Sequence, residues 1–241
     1  MYEDRGDAPY SAKVAYRDPS VAVHYERDRY RRALGRYTHW REQKVVRRLL
    51  ERLPEGITVL DCPCGTGRWW PILRSKASSI TGVDISEGML AYARERADID
   101  KSGITLVRGD AESLPLDDNS VDYVFSHALM KHLPIPVQAL VLSEFARVSR
   151  NGVLCSFSIV THLSYEVWRH RDLFESFPIL REQLAWLASD AGLTISGVER
   201  CTTPVGVERL VLLVPEGVTA HADLDTGAGS PSDFPRKNAP S

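Results

Sequence analysis

The sequence predicts a doubly wound α/β fold, Rossmann-like, whose sheet is mostly parallel with one reversed strand near the C-terminus. Three observations carry this. Between residues 57 and 159, short apolar runs alternate with segments of helical periodicity, the pattern of βα units. The first of those runs opens directly into a glycine-containing turn. The last two β-rich runs, 193–201 and 206–214, are separated by Thr202-Thr203-Pro204, too short for the crossover a parallel pair needs, so they form an antiparallel hairpin.

The elements follow in order. Leu34, Tyr37, Trp40, Val45, Leu49 and Leu53 recur at helical spacing and predict an amphipathic helix over about 36–53, which Pro54-Glu55-Gly56 ends. Residues 57–60 (ITVL) form a first buried strand. A helix starts near Arg68, with Pro71 tolerated in its first turn. Residues 80–83 form a second strand, and Ser86 caps a helix that presents Met89, Leu90 and Ala93 on one face. Strands at 104–107 and 121–125, a helix over about 136–149 and a fifth strand at 152–159 complete five βα units. A helix over about 180–191 stops at Gly192, a residue suited to the position after a helix end. Residues 215–241 hold ten Pro, Gly or Ser in 27 positions and read as a disordered tail. The expected organisation is a helical lid at 1–53, a ligand-binding domain at 54–214 and the tail.

Composition bounds the function. With 241 residues and 27.0 kDa, the chain supports one sizeable domain, and 43% apolar with 26% charged residues excludes wholesale disorder. Lys plus Arg number 30 and Asp plus Glu 32, a net charge of −2, which excludes a surface tuned as a whole to nucleic acid or an anionic membrane. No apolar run reaches the roughly 18–20 residues of a membrane helix. The first ten residues, MYEDRGDAPY, lack the basic and apolar regions of a secretory signal. Cys62, Cys64, Cys155 and Cys201 form no spaced framework, and Cys62-Pro63-Cys64 is too close-set for an ordinary disulfide or a zinc knuckle. The reading is a soluble cytoplasmic protein with reduced thiols and no metal centre. Oligomeric state is not legible.

The strongest local signal is Val59-Leu60-Asp61-Cys62-Pro63-Cys64-Gly65-Thr66-Gly67, a first βα turn at the sheet edge where doubly wound folds bind ligands. Gly65 and Gly67 let the backbone approach a ligand closely. A dinucleotide fingerprint needs a third small residue three positions on, where Trp70 stands; an indole there would hold helix and strand apart, which disfavours NAD and FAD. The Gly-Lys-Ser/Thr phosphate loop is absent.

This stretch resembles motif I of the class I S-adenosylmethionine-dependent methyltransferases, and the resemblance continues in order over about 57–160. Val83-Asp84-Ile85-Ser86 is similar to the family's acidic residue after the second strand. Gly109-Asp110-Ala111-Glu112-Ser113-Leu114-Pro115 is similar to its loop after the third, and Val121-Asp122-Tyr123-Val124-Phe125-Ser126 to its fourth-strand motif. Glu144-Phe145-Ala146-Arg147-Val148 and Asn151-Gly152-Val153-Leu154 resemble the helix and turn leading to the fifth strand. The resemblance implies the seven-stranded methyltransferase fold and S-adenosyl-L-methionine as cofactor. It implies that Asp84 meets both ribose hydroxyls, two donors that one carboxylate accepts as charge-assisted hydrogen bonds. It places Asp110 at the adenine amino group, with Ala111 beside it, Ile85 or Met89 on a ring face, and Asp61 near the ammonium or sulfonium region. Ser126 lies at the fourth strand's end, within the matched motif. Taken singly, each acid reads equally as a cap or a turn residue. The one departure is Pro63 at the first glycine position, where a turn that needed positive φ would fail.

Methyl transfer needs alignment and exclusion of water, and a base only where the nucleophile must lose a proton. His127 and His132 follow the fourth strand, where an acceptor would sit, and are the base candidates; packing at the Leu133-Pro134 turn or in the pocket wall is the alternative for each. Val21-Ala22-Val23-His24-Tyr25-Glu26-Arg27 resembles the lid of small-molecule members, which implies that Tyr25 covers the methionine end and Arg29 reaches its carboxylate. Arg169, His170 and Arg171 sit where an anionic acceptor would be gripped, or form a solvated face. The implied reaction is methylation of an oxygen or nitrogen of a small molecule. Residues 1–52 hold 13 Lys/Arg against 8 Asp/Glu, an excess of five that motivates an RNA or protein acceptor as the alternative. Pro63 motivates another, a cofactor-binding scaffold without turnover.

Overall fold

The sheet is built from seven strands: β1 (Ile57–Asp61), β2 (Ala77–Asp84), β3 (Ile104–Arg108), β4 (Val121–Ser126), β5 (Ser149–Ser158), β6 (Leu193–Arg200) and β7 (Glu208–Pro215), in the order β3-β2-β1-β4-β5-β7-β6. They belong to a computed structural model that describes residues 33–96, 103–169, 176–201 and 207–217. The strands from β3 to β5 pair in parallel, and β7 runs antiparallel to both β5 and β6, so it is the reversed strand that the short 202–204 connection predicts. The chain steps outward from β1 to β2 and β3, then returns to lay β4 on the other side of β1. Val59, Leu60 and Asp61 there align with Tyr123, Val124 and Phe125. That reversal opens a crevice beyond the carboxyl ends of β1 and β4.

Alternation along the strands divides the core into two layers. Val59, Ile80, Phe125, Leu154, Leu210 and Leu212 pack on one face, under α1 (Ala33–Leu50), α2 (Trp70–Leu73) and α3 (Glu87–Arg96). Leu60, Val83, Val124, Val153, Val211 and Leu213 pack on the other, under α4 (Ile135–Val148) and α6 (Arg181–Asp190). Helix α5 (His162–Arg169) follows β5. Val46, Leu49, Leu73 and Leu90 seal the first face, and Leu142, Phe145, Leu184 and Leu187 the second. Each such side chain contributes about 1.5–3 kcal/mol by leaving water.

Two expectations are corrected. First, the predicted apolar face of α1 is rotated. Glu42, Val45, Val46, Leu49 and Leu50 are buried, whereas Tyr37 and Trp40 are 45% and 49% exposed. Tyr37, Trp40 and Lys44 fall on a separate stripe of the helix, where the rings contact one another and the Lys44 ammonium lies 4.1 Å from the Trp40 ring centre. Second, one of the five βα units has no helix. Residues 109–120 form turns and a single bridge between Asp110 and Ser113, because Pro115 and the polar run 117–120 break helical periodicity. The predicted helix near Arg68 is a single turn. The expected lid up to residue 32, the connection at 202–206 and the tail from residue 218 lie outside the described residues.

The 109–120 loop is held from α4. Glu144 accepts the Leu114 N–H at 2.7 Å, and Arg147 donates to the carbonyls of Leu114 and Leu116 at 3.2 and 2.8 Å and to Asp118 at 2.7 Å. Arg147 also grips Glu144 through paired bonds of 2.8 Å, which is the main reason the Glu144 carboxyl sits below its ordinary value. A carboxyl lowered in the folded state stabilises fully above the ordinary carboxylate range and loses that contribution as pH falls through it. Glu144→Gln is expected to lower stability at neutral pH by about 1–3 kcal/mol in urea unfolding, and to flatten the decline below about pH 4. An unchanged acid limb would remove Glu144 from this account.

Candidate active site

A cavity of about 950 Å³, counted with its open mouth, lies at the carboxyl ends of β1 to β4. Four chain segments line it. Pro63, Gly65, Arg68 and Trp69 come from the turn after β1; Asp84, Ile85 and Met89 from the end of β2 and the start of α3; Gly109, Asp110 and Ala111 from the loop after β3. His127, Leu129, His132 and Leu133 come from the segment after β4.

The turn after β1 hangs between its two neighbours. Cys62 N–H donates to the Phe125 carbonyl at 3.0 Å and Cys64 N–H to the Val83 carbonyl at 2.9 Å. The Cys62–Pro63 peptide is cis, and positive φ falls at Gly65 (+52°) and Gly67 (+73°) rather than at Pro63. The turn therefore asks nothing of the first glycine position that proline cannot adopt. A Cβ on Gly65 would project into open space, at a residue that lines the cavity. At Gly67 a Cβ would collide with the ring of Trp70. Here the expectation that Trp70 holds helix and strand apart is overturned. With no side chain at Gly67 the indole lies across it, buried, and its Nε1–H donates to Asp61 at 3.0 Å.

Asp61, Gly67 and Ser126, expected at the cofactor, are not among the residues that line the cavity. Asp61 and Ser126 are both fully buried. Burial pushes the Asp61 carboxyl up to about 8; the Trp70 hydrogen bond and the Arg68 charge oppose this in part, and the Asp84 charge adds to it. Its second oxygen has no hydrogen-bond partner among the described residues.

Among the described residues, Asp84 and Asp110 are the acids that line the cavity. One oxygen of Asp84 accepts Gly65 N–H at 2.9 Å and the other accepts Ser86 N–H at 2.9 Å, so the carboxylate plane is set before any ligand arrives. Burial raises its carboxyl above the ordinary value, and the backbone donors Ser86, Gly65 and Ile85 pull against that rise. Ser86 also caps α3, as predicted, by accepting Met89 N–H at 3.4 Å. Asp110 accepts Glu112 N–H at 3.1 Å, and Gly109 N–H reaches the Asp84 carbonyl at 3.1 Å.

His127 is 5% exposed, and its ring packs against Trp69 with centres 4.7 Å apart. Its Nδ1 lies 3.1 Å from a guanidinium nitrogen of Arg68. His132 stands at the end of a short 3₁₀ helix (Met130–His132) in the cavity wall. Ala128, between them, has φ +64° and is held there by its N–H donating to Ser156 Oγ at 2.7 Å. Tyr25, Arg29, His170 and Arg171 lie outside the described residues, and Arg169 ends α5. Sequence reasoning missed Arg68 and Trp69, although both directly follow Gly67 in the motif. Among the described residues no cluster of three or more His, Cys, Asp or Glu is placed to hold a metal ion, and no helix is long and apolar enough to cross a membrane.

Comparison with known proteins places a family match over the residues that line this cavity. Residues 59–152 match the family described as a methyltransferase domain. A demethylmenaquinone methyltransferase of Shouchella clausii is 36% identical over 124 residues, 50% of this chain and 51% of the relative. A malonyl-[acyl-carrier protein] O-methyltransferase of Pectobacterium atrosepticum is 33% identical over 149 residues, 58% of this chain and 56% of the relative. The chain thus spans about half the length of the curated relatives it matches. Among solved structures, the magnesium protoporphyrin IX methyltransferase of Synechocystis PCC 6803 with bound S-adenosylhomocysteine superposes with a TM-score of 0.66. It covers 84% of this chain and 99% of its own at 18% identity, a likeness of fold.

The geometry of Asp61 yields a pH prediction. A carboxyl raised from 3.8 to about 8 keeps its proton in the folded state where the unfolded chain has released it, so wild-type stability declines as pH rises through that window. Asp61→Asn keeps an acceptor for Trp70 and removes the titration. In urea unfolding it is expected to match or exceed wild type at the upper end of the window and to show a flatter slope across it. An unchanged slope would contradict the assignment.

Proposed function

We propose that residues 59–152, which match a methyltransferase domain, work as a class I S-adenosylmethionine-dependent enzyme, and that the chain transfers a methyl group from S-adenosyl-L-methionine to an oxygen or nitrogen of a small-molecule acceptor. The observation that carries this reading is Asp84. A buried carboxylate on the cavity wall, with one lone pair of each oxygen occupied by a backbone N–H, has the remaining lone pairs for two hydroxyls side by side. A ribose diol has that shape. The open space over Gly65 fits the same group, since a side chain there would occupy the approach.

When bound, S-adenosylmethionine supplies an electrophilic methyl carbon on a positively charged sulfur. The chain's own residues do the rest. In this reading Asp84 binds the ribose, Asp110 accepts from the adenine amino group, and Ile85, Met89 and Ala111 pack on the ring. Asp61, Gly67 and Ser126 act by shaping the turn and the strand end. Trp69, Leu129 and Leu133 form an apolar wall that excludes water from the reacting atoms. His132 accepts the proton of an acceptor hydroxyl or ammonium. The curated relatives carry names with different acceptors, which supports a small acceptor group and leaves its selection to segments outside the shared stretch.

Isothermal titration calorimetry with S-adenosylhomocysteine tests the cofactor assignment. Wild type is expected to bind, Asp84→Ala to lose about tenfold to a hundredfold in affinity, and NAD to give no heat. A folded wild type that ignores S-adenosylhomocysteine would overturn the proposal. With an acceptor found, His132→Gln is expected to lower kcat by about 10²–10⁴ while leaving S-adenosylhomocysteine affinity unchanged. Equal loss in both would make His132 a binding residue.

A further inference from the structure

We infer that Arg68 is a positioning residue that fixes the ring tautomer of His127, so that His127 keeps no lone pair to act as a proton acceptor in the cavity wall. The argument is one of donor inventory. A guanidinium carries five N–H donors, no acceptor, and a charge it does not give up. At 3.1 Å between Arg68 and His127 Nδ1, the arginine donates and the Nδ1 lone pair accepts. The neutral ring then carries its hydrogen on Nε2. Neither nitrogen is left with a lone pair for a substrate proton. Protonation at Nδ1 would set N–H against N–H and place two positive charges in contact.

Arg68 is held for this task from several sides. Its other terminal nitrogen lies 3.7 Å from Glu42 on α1, and the two side chains are only 10% and 3% exposed. The guanidinium lies 4.6 Å from the Trp69 ring centre, and the same ring packs on His127, so arginine and imidazole share one aromatic platform. Among the described residues, the titratable groups around the pair include Glu42 and His39 from α1, with His39 3.7 Å from the same Glu42 oxygen, and Asp61 from β1, which feels the Arg68 charge. Glu42, Arg68 and His127 thus form a chain from the N-terminal helix to the cavity wall, linking residues 26 and 59 positions apart.

Roles at the two histidines separate as a result. Proton acceptance falls to His132. The tautomer stands on its own geometry; only the assignment of proton acceptance to His132 rests on the proposed methyl transfer.

The test is side-chain nitrogen NMR of histidine-labelled full-length protein near neutral pH, with the His127 signals identified by their loss in His127→Gln. Wild type is expected to show the Nε2–H form. Arg68→Lys, which also only donates, is expected to retain it, and Arg68→Met to shift the ring to a mixture of tautomers. If Arg68→Met does not fold, Glu42→Gln, which loosens the arginine without removing it, is expected to shift the population part of the way. An Nδ1–H or doubly protonated His127 in wild type overturns the inference, as does an unchanged tautomer in folded Arg68→Met. Adding S-adenosylhomocysteine to the same samples separates the two claims, because failure to bind counts against the cofactor assignment and leaves the tautomer result intact.

Discussion

Three strand ends meet at Asp84. Its carboxylate takes one N–H from the turn after β1 and one from the turn into α3, and its backbone carbonyl takes the N–H of Gly109 from the loop after β3. A buried carboxylate is costly unless it is bonded, so the segments that satisfy it are drawn to one point. The cavity is the space those segments enclose. Losing Asp84 would therefore untie all three segments, and even Asp84→Asn would set its amide N–H against one of the two backbone donors.

Around that point the two buried carboxyls differ in degree. Burial raises both Asp84 and Asp61; at Asp84 three backbone donors pull against the rise, whereas Asp61, with a single donor from Trp70, is pushed up to about 8. The Asp84 charge adds to the rise at Asp61, so the two carboxyls are electrostatically linked. The Arg68 charge serves the Glu42 pair, the Asp61 field and the His127 hydrogen bond at once.

Much of the fold was legible because each strand carries its own signal. Apolar runs such as 57–60 and 121–125 read as buried strands without tertiary information, and the three-residue link at 202–204 was enough to require the hairpin. The turn chemistry was legible too, since Gly65, Asp84 and Asp110 fall at successive strand ends. What was not legible depends on partners distant in sequence. The face that α1 buries is decided by the sheet beneath it, so Tyr37 and Trp40 could be assigned to the core and still point outward. Pro115 and the polar run 117–120 mark the loop after β3 as irregular, but nothing local shows that Glu144 and Arg147, some 30 residues on, hold its backbone. Trp70 looked like an obstruction, because only the structure shows that Gly67 leaves room for its ring and Asp61 an acceptor for its N–H.

The central claim is that Asp84 marks a ribose site in a cofactor cavity. The most direct measurement is a crystal structure of the full chain grown with S-adenosylhomocysteine. The account predicts both ribose hydroxyls on the Asp84 carboxylate, the adenine edge beside Asp110, and a Gly65 turn unchanged from the geometry described above. A nucleoside bound elsewhere, or seated in this cavity with its ribose away from Asp84, would contradict it.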